Sequence, residues 1–205
     1  MAQKKNDRYV RRIPRTSLPV GTIELAKYLI GKTLVHDTQA GRISGRIVET
    51  EAYIVGDAAG HAYRGPTLRN KSLFLDRGHA YVYRAYGLHF LVNVSSEVRG
   101  VGAGVLLRAL EPLEGIHLMR LHRPHAPFID LARGPGRLAQ AMGIGLREDG
   151  LDLCAAGPLW LGASVRPAGK IGRSVRIGIS RDTRRLLRFY ERGSPYVSGP
   201  KQSRV

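Results

Sequence analysis

Two of the few acidic side chains in this sequence stand together in the run IVETEAY, which carries Glu49 and Glu51. On an extended segment, residues two apart point to the same side. Carboxylates rarely face a core unless paired, so the two glutamates either face solvent together or form part of a site. Glu51 follows Val48 and precedes Ala52 and Tyr53, and it leads into a long loop. That setting makes it a candidate general base, a group that takes a proton from a nucleophile. A partner for it stands in VLLRALEP. The apolar residues there are typical of a buried central strand, yet Arg108 sits in the middle. A buried arginine needs a carboxylate, so Arg108 points to Glu51 or Glu49, unless it lies at an edge and snorkels outward.

Two other positions invite attention. The loop from Val55 to Lys71 has no clear periodicity and holds His61, Arg64 and Arg69. Loops of that length in compact domains tend to be functional or disordered, and His61 alone is compatible with plain solvent exposure. The stretch GHAYVYRAYGLHFLVNVSSE alternates in β-branched and aromatic residues and breaks once near Gly87, which reads as a hairpin. Turn tips favour Asn, Asp, Gly or Ser, whereas this one displays Tyr86. Tyr86 either folds back onto the protein or is a wedge displayed for insertion into a partner.

The elements that must position these residues follow from the same patterning. Thr22 is placed to cap a helix over TIELAKYLIG that ends at Gly31. Lys32–His36 and Gly41–Thr50 read as paired strands across a polar turn, and the hairpin and VLLRALEP supply further strands. Leu113–Leu121 reads as helical, and GPGRLAQAMGI as a helix started by Pro135 and stopped by Gly143. VRIGIS and LRFY return to strand patterning, and RGSPYVSG closes the chain as a turn. The fold class expected is mixed α/β (α+β), one domain over residues 18–205 with a curved antiparallel sheet. Residues 1–17 read as a disordered basic arm.

With 205 residues, 43% hydrophobic and 24% charged, the chain can bury one sizeable core. Lys and Arg number 33 against 16 Asp and Glu, a net charge of +17. Such a balance favours a polyanionic partner, nucleic acid or an anionic membrane surface. No apolar run approaches the ~20 residues of a membrane span, and the N-terminus lacks the apolar segment of a secretory signal. A lone Cys154 cannot form an internal disulfide, which fits a reducing cytoplasm. His117, His122 and His125 match no zinc spacing, and there is no phosphate-binding glycine motif. Neither metal nor cofactor is expected.

Seven segments in order resemble the alkyladenine (3-methyladenine) DNA glycosylase family over nearly the whole chain from about residue 20. They are LAKYLIGKTLV, RIVETEAY, AAGHAYRG, YVYRAYG with LVNVSS, GVLLRALEPLEG, GPGRLAQAMGI and RFYERGSPYVS. The resemblance implies the fold of the formyltransferase C-terminal domain and a monofunctional glycosylase that flips a damaged purine out of duplex DNA. Position by position, it implies that Glu51 is the general base. Arg108 helps to hold that base and the attacking water, to which Ile177 lends its main-chain carbonyl. Tyr53, His61 and Tyr83 form the base pocket, Asn93 crowds out the amino group of guanine, and Tyr86 intercalates. The partner implied is double-stranded DNA containing damaged purines, met by a monomer in the cytoplasm, at the nucleoid. His89 stands where the family has an aromatic, and the loop around Arg64–Leu68 is shorter than in vertebrate proteins. These departures bear on substrate preference and backbone contacts rather than on the chemistry. A non-catalytic basic module binding RNA or DNA is the alternative, and it leaves Glu51 and Arg108 without a purpose.

Overall fold

A computed structural model describes residues 10–85 and 87–199. The central element is a thirteen-residue strand, β2 (Gly41–Tyr53), and the rest of a curled antiparallel sheet is laid against it. The strands are β1 (Thr33–Thr38), β2, β3 (Ala80–Ala85), β4 (His89–Ser95), β5 (Gly104–Glu114), β6 (Leu159–Gly162), β7 (Ile171–Ser174) and β8 (Arg188–Glu191). Six of them run in the order β3-β4-β5-β2-β1-β6, and β8 joins β2 with β7 on its outer side. β2 changes partner along its length. Gly41–Arg46 pair with β1, and Glu49–Glu51 pair with β8. This exchange of neighbours curls the sheet, and it brings the C-terminal part of the chain to the functional end of β2.

The apolar residues of the sheet close a core with the helices α1 (Thr22–Leu29), α2 (Ile116–His122) and α3 (Pro135–Met142). Leu25, Leu29, Ile47, Leu107, Leu138 and Met142 are all fully buried there. Each such side chain contributes about 1.5–3 kcal/mol from removal of apolar surface from water. Pro135 opens α3 and Gly143 closes it at φ 67°, as its sequence predicts. The fold is the mixed α/β, single-domain, curved antiparallel architecture expected.

Several local expectations change. Thr22 is the first helical residue of α1 and not its cap. Its N–H and hydroxyl both donate to Glu97 Oε1, at 2.9 and 2.6 Å, so a carboxylate remote in sequence satisfies the helix N-terminus. β5 continues through Glu114, which pairs with Ser44, so α2 begins only after the left-handed turn at Gly115. Val175–Ser180 form no strand. β7 stops at Ser174, Arg176 turns into the interior, and Gly178 takes φ 77°. Of the residues read as a disordered arm, Arg11–Ser17 are docked. Ile13 is buried and its N–H donates to Leu161 O, Ala163 N–H donates to Arg11 O, and Arg15 pairs with Asp152.

Candidate functional site

The site is built on one face of β2. Thr50 points to the helices, its hydroxyl donating to Ala26 O, so Glu49 and Glu51 point to the opposite face. The register then aligns a row across the sheet: Tyr81 opposite Asn93, Asn93 opposite Leu106, Leu106 opposite Glu51, and Glu51 opposite Arg188. Two compensating bulges interrupt β2 and β5. Ile47 pairs with Leu110, Glu49 with Ala109 and Thr50 with Leu107, leaving Val48 and Arg108 without opposite residues. The bulge frees Arg108 to lean between the glutamates. Its Nε donates to Glu49 Oε1 at 3.0 Å, and its Nη1 lies 3.2 Å from Glu51 Oε1. It thus serves both carboxylates and is no snorkelling edge residue.

Both glutamates are fully buried, which rules out the solvent-facing arrangement. Glu49 also accepts from Arg188 Nε (2.7 Å), Ser198 N–H (2.6 Å) and Ser198 Oγ (3.0 Å). Burial raises its pKa, but Arg108, Arg188 and the Ser198 N–H outweigh this and hold it below the usual value. Glu51 has fewer partners. Oε1 accepts the Ile177 N–H at 2.8 Å, and Oε2 accepts the Tyr53 hydroxyl at 3.1 Å. For Glu51 burial wins, with Glu49 adding to the rise, against the opposing pull of Arg108 and the Ile177 N–H. A carboxylate with a raised pKa is the stronger base of the two.

In front of Glu51 lies a cavity of about 670 Å³. Tyr53, His61, Tyr83, Asn93, Arg108 and Ile177 all line it, together with Tyr81. Tyr81 and Tyr83 stack at 5.4 Å between ring centroids, and the His61 ring meets Tyr83 edge-on at 4.4 Å. Burial lowers the His61 pKa and Arg69 lowers it further, which keeps the ring neutral at physiological pH. Its Nδ1 lies 2.9 Å from the Tyr81 hydroxyl. The loop bearing His61 is ordered by Asn70, whose side-chain amide donates to His61 O and Gly65 O. His61 therefore lines the cavity while remaining exposed to solvent, so the two readings of this loop histidine hold together. Asn93 is nearly buried, and its amide nitrogen donates to Tyr81 O. Tyr86 lies outside the described residues. The strands beside it pair as far as Ala85 and His89, and Leu88 at the tip is exposed.

Sequence reasoning gave Ile177 a carbonyl role toward the attacking water and did not foresee that its N–H donates to Glu51. It gave no role to Tyr81, although Tyr81 shares the period of Tyr83, nor to Arg188, Asp57 and Arg176. Among the described residues, no group of three His, Cys, Asp or Glu side chains is placed to hold a metal ion. Also among them, no helix is long and apolar enough to cross a membrane.

A protein from Mesorhizobium japonicum named "Putative 3-methyladenine DNA glycosylase" is 62% identical over 189 residues, spanning 92% of this chain and 91% of that protein. Proteins of the same name are similar at 53% over 188 residues in Paraburkholderia phytofirmans (92% and 88% of the two chains) and at 47% over 174 residues in Rubrobacter xylanophilus (85% and 90%). A model of methylpurine-DNA glycosylases matches residues 17–195, which include every side chain lining the cavity, and the chain belongs to that family.

Proposed function

We propose that the cavity receives an alkylated or deaminated purine rotated out of duplex DNA, and that Glu51 directs water at its N-glycosidic bond. Family membership makes the enzyme a DNA glycosylase of DNA repair, a hydrolase acting on N-glycosyl bonds. The finer reading rests above all on Glu51, a raised-pKa carboxylate one hydrogen bond behind the wall of an aromatic cavity.

A stacked base is out of reach of any active site, so the nucleotide must leave the duplex at a cost of a few kcal/mol. Tyr86 entering the vacated space offsets about 1–3 kcal/mol of that through stacking. Between Tyr53, Tyr83 and His61 the purine is held by its faces and edge, while Asn93 excludes the exocyclic amino group of guanine. The N-glycosidic bond then breaks and its electron pair leaves with the purine, leaving positive charge on the sugar as in glycoside hydrolysis. Ionised Glu51 stabilises that charge and takes a proton from water, whose oxygen bonds to the anomeric carbon. Arg108, the Ile177 N–H and the Tyr53 hydroxyl keep the carboxylate oriented, and the Ile177 carbonyl contributes to holding the water. No lysine lines the cavity among the described residues, in keeping with hydrolysis that leaves an uncut abasic strand. The proposed substrates are 3-methyladenine, 7-methylguanine, hypoxanthine and ethenoadenine, met in duplex DNA at the nucleoid by a monomer.

Single-turnover excision from a duplex carrying one hypoxanthine or one ethenoadenine tests this, with alkali to reveal abasic sites. Breakage after alkali only, abolished in Glu51→Gln, is the expected result. Tight binding without abasic sites on either lesion or on alkylated DNA would leave only a basic binding module.

A further inference from the structure

The segment 175–180 forms one wall of the cavity and supplies the Ile177 N–H to Glu51, yet it belongs to no strand. Its hold on the protein is Arg176. That side chain is fully buried, as is its partner Asp57. Arg176 Nη2 donates to Asp57 Oδ1 at 3.0 Å, Nη1 donates to Asp57 Oδ2 and, at 3.0 Å, to Ala52 O. The guanidinium carbon stands 4.6 Å from the centre of the Tyr53 ring. One side chain therefore grips three elements. These are the end of β2 at Ala52 and Tyr53, the start of the His61 loop at Asp57, and the segment carrying Ile177. Asp57 also accepts the Ala59 N–H, and Asp182 accepts the Ala58 N–H, so the clamp is fastened on both sides. A planar fork over an aromatic face is a geometry that lysine cannot reproduce.

We infer that Arg176, clamped on Asp57, is a positioning residue for the glycosylase reaction: it fixes the Ile177 N–H and the Tyr53 ring against Glu51. This rests on the reading of Glu51 as the base. The groups facing Glu51 are Arg108 from β5, Arg188 opposite it on β8, Glu49 and Tyr53 from β2, and the Ile177 N–H. Of these, Arg176 governs the last two. When the clamp is removed, Glu51 loses a donor that favours its ionised form and so holds its proton to higher pH.

The test is single-turnover excision measured across pH for wild type, Arg176→Met, Arg176→Lys and Glu51→Gln, with duplex affinity measured alongside. Arg176→Met is expected to lower the plateau rate roughly 10- to 100-fold, as misplacement of reacting groups does. Its acid limb should move to higher pH, and its affinity for damaged duplex should stay nearly unchanged because phosphate contacts dominate binding. Arg176→Lys should recover only part of the rate. A buried Asp57 left without its arginine threatens the fold, so the double variant Asp57→Leu/Arg176→Met removes both charges, and the same limb shift is expected from it. An unmoved limb in the folded variants, whatever their rate, overturns the inference. Survival of activity in Glu51→Gln would instead overturn the assignment of the base itself.

Discussion

Glu49 and Glu51 are two residues apart on one strand, both fully buried, and share Arg108, yet their acidities move in opposite directions. Each accepts one main-chain N–H, so the difference lies in Arg188, which donates to Glu49, and in the charge of Glu49, which raises Glu51. One carboxylate is thereby fixed as a structural anion, and the other is left with basicity to use.

The first consequence concerns pH. The base must be ionised, and the pKa of Glu51 lies above 4.5, the ordinary glutamate value. The single-turnover rate should therefore fall as pH drops through a value above 4.5, with one proton taken up. A profile flat down to that ordinary value would contradict the assignment. The same shift carries a stability sign. With a raised folded pKa, Glu51 favours the fold below 4.5 and loses that contribution as pH rises through its folded value. Glu51→Gln, neutral throughout, should gain on wild type over that rise.

Glu49 predicts the reverse. Its lowered pKa contributes stability that is present above 4.5 and lost as pH falls through the folded value. Glu49→Gln leaves Arg188 and Arg108 short of a buried counter-charge, which should cost about 3–5 kcal/mol near neutrality. Urea unfolding at a series of pH values should show the gap from wild type narrowing as the medium is made acid.

Asn93 sits nearly buried at the cavity wall, its amide committed to Tyr81 O. Asn93→Ser opens space there without adding charge. Release of unmodified guanine should rise by roughly tenfold, the scale on which pocket volume discriminates, while ethenoadenine excision changes little. Assay of both substrates with the one variant decides it.

Tyr86→Ala removes the proposed wedge. The expected loss on duplex substrate is about 1–3 kcal/mol of stacking, roughly 5- to 150-fold in rate. On a single strand, where no partner base must be left behind, the loss should shrink. Equal losses on both substrates would argue against insertion.

Much of this was legible from local patterns. Period two placed Glu49 with Glu51 and Tyr81 with Tyr83, Pro135 and Gly143 bounded α3, and an arginine inside VLLRALEP demanded an acid. What was not legible depends on distant partners. Nothing near Thr22 announces that Glu97, 75 residues away, caps its helix. Nothing near Arg176 announces Asp57, 119 residues away. VRIGIS has the composition of a strand, but the clamp on its arginine overrides that propensity. Arg11–Ser17 read as arm because of their charge, while one buried isoleucine and the free edge of β6 were enough to dock them.

The exchange of neighbours along β2 has a consequence for synthesis. Glu49 and Glu51 pair with β8, and Glu49 takes two hydrogen bonds from Ser198, 149 residues further on. While the chain is still emerging from the ribosome, neither Arg188 nor Ser198 is there to hold Glu49. Contacts so distant in sequence form late. The enzyme should therefore become competent only once β8 and Ser198 have been made, and a product truncated before β8 should be inert on DNA even where its helices and first strands have formed.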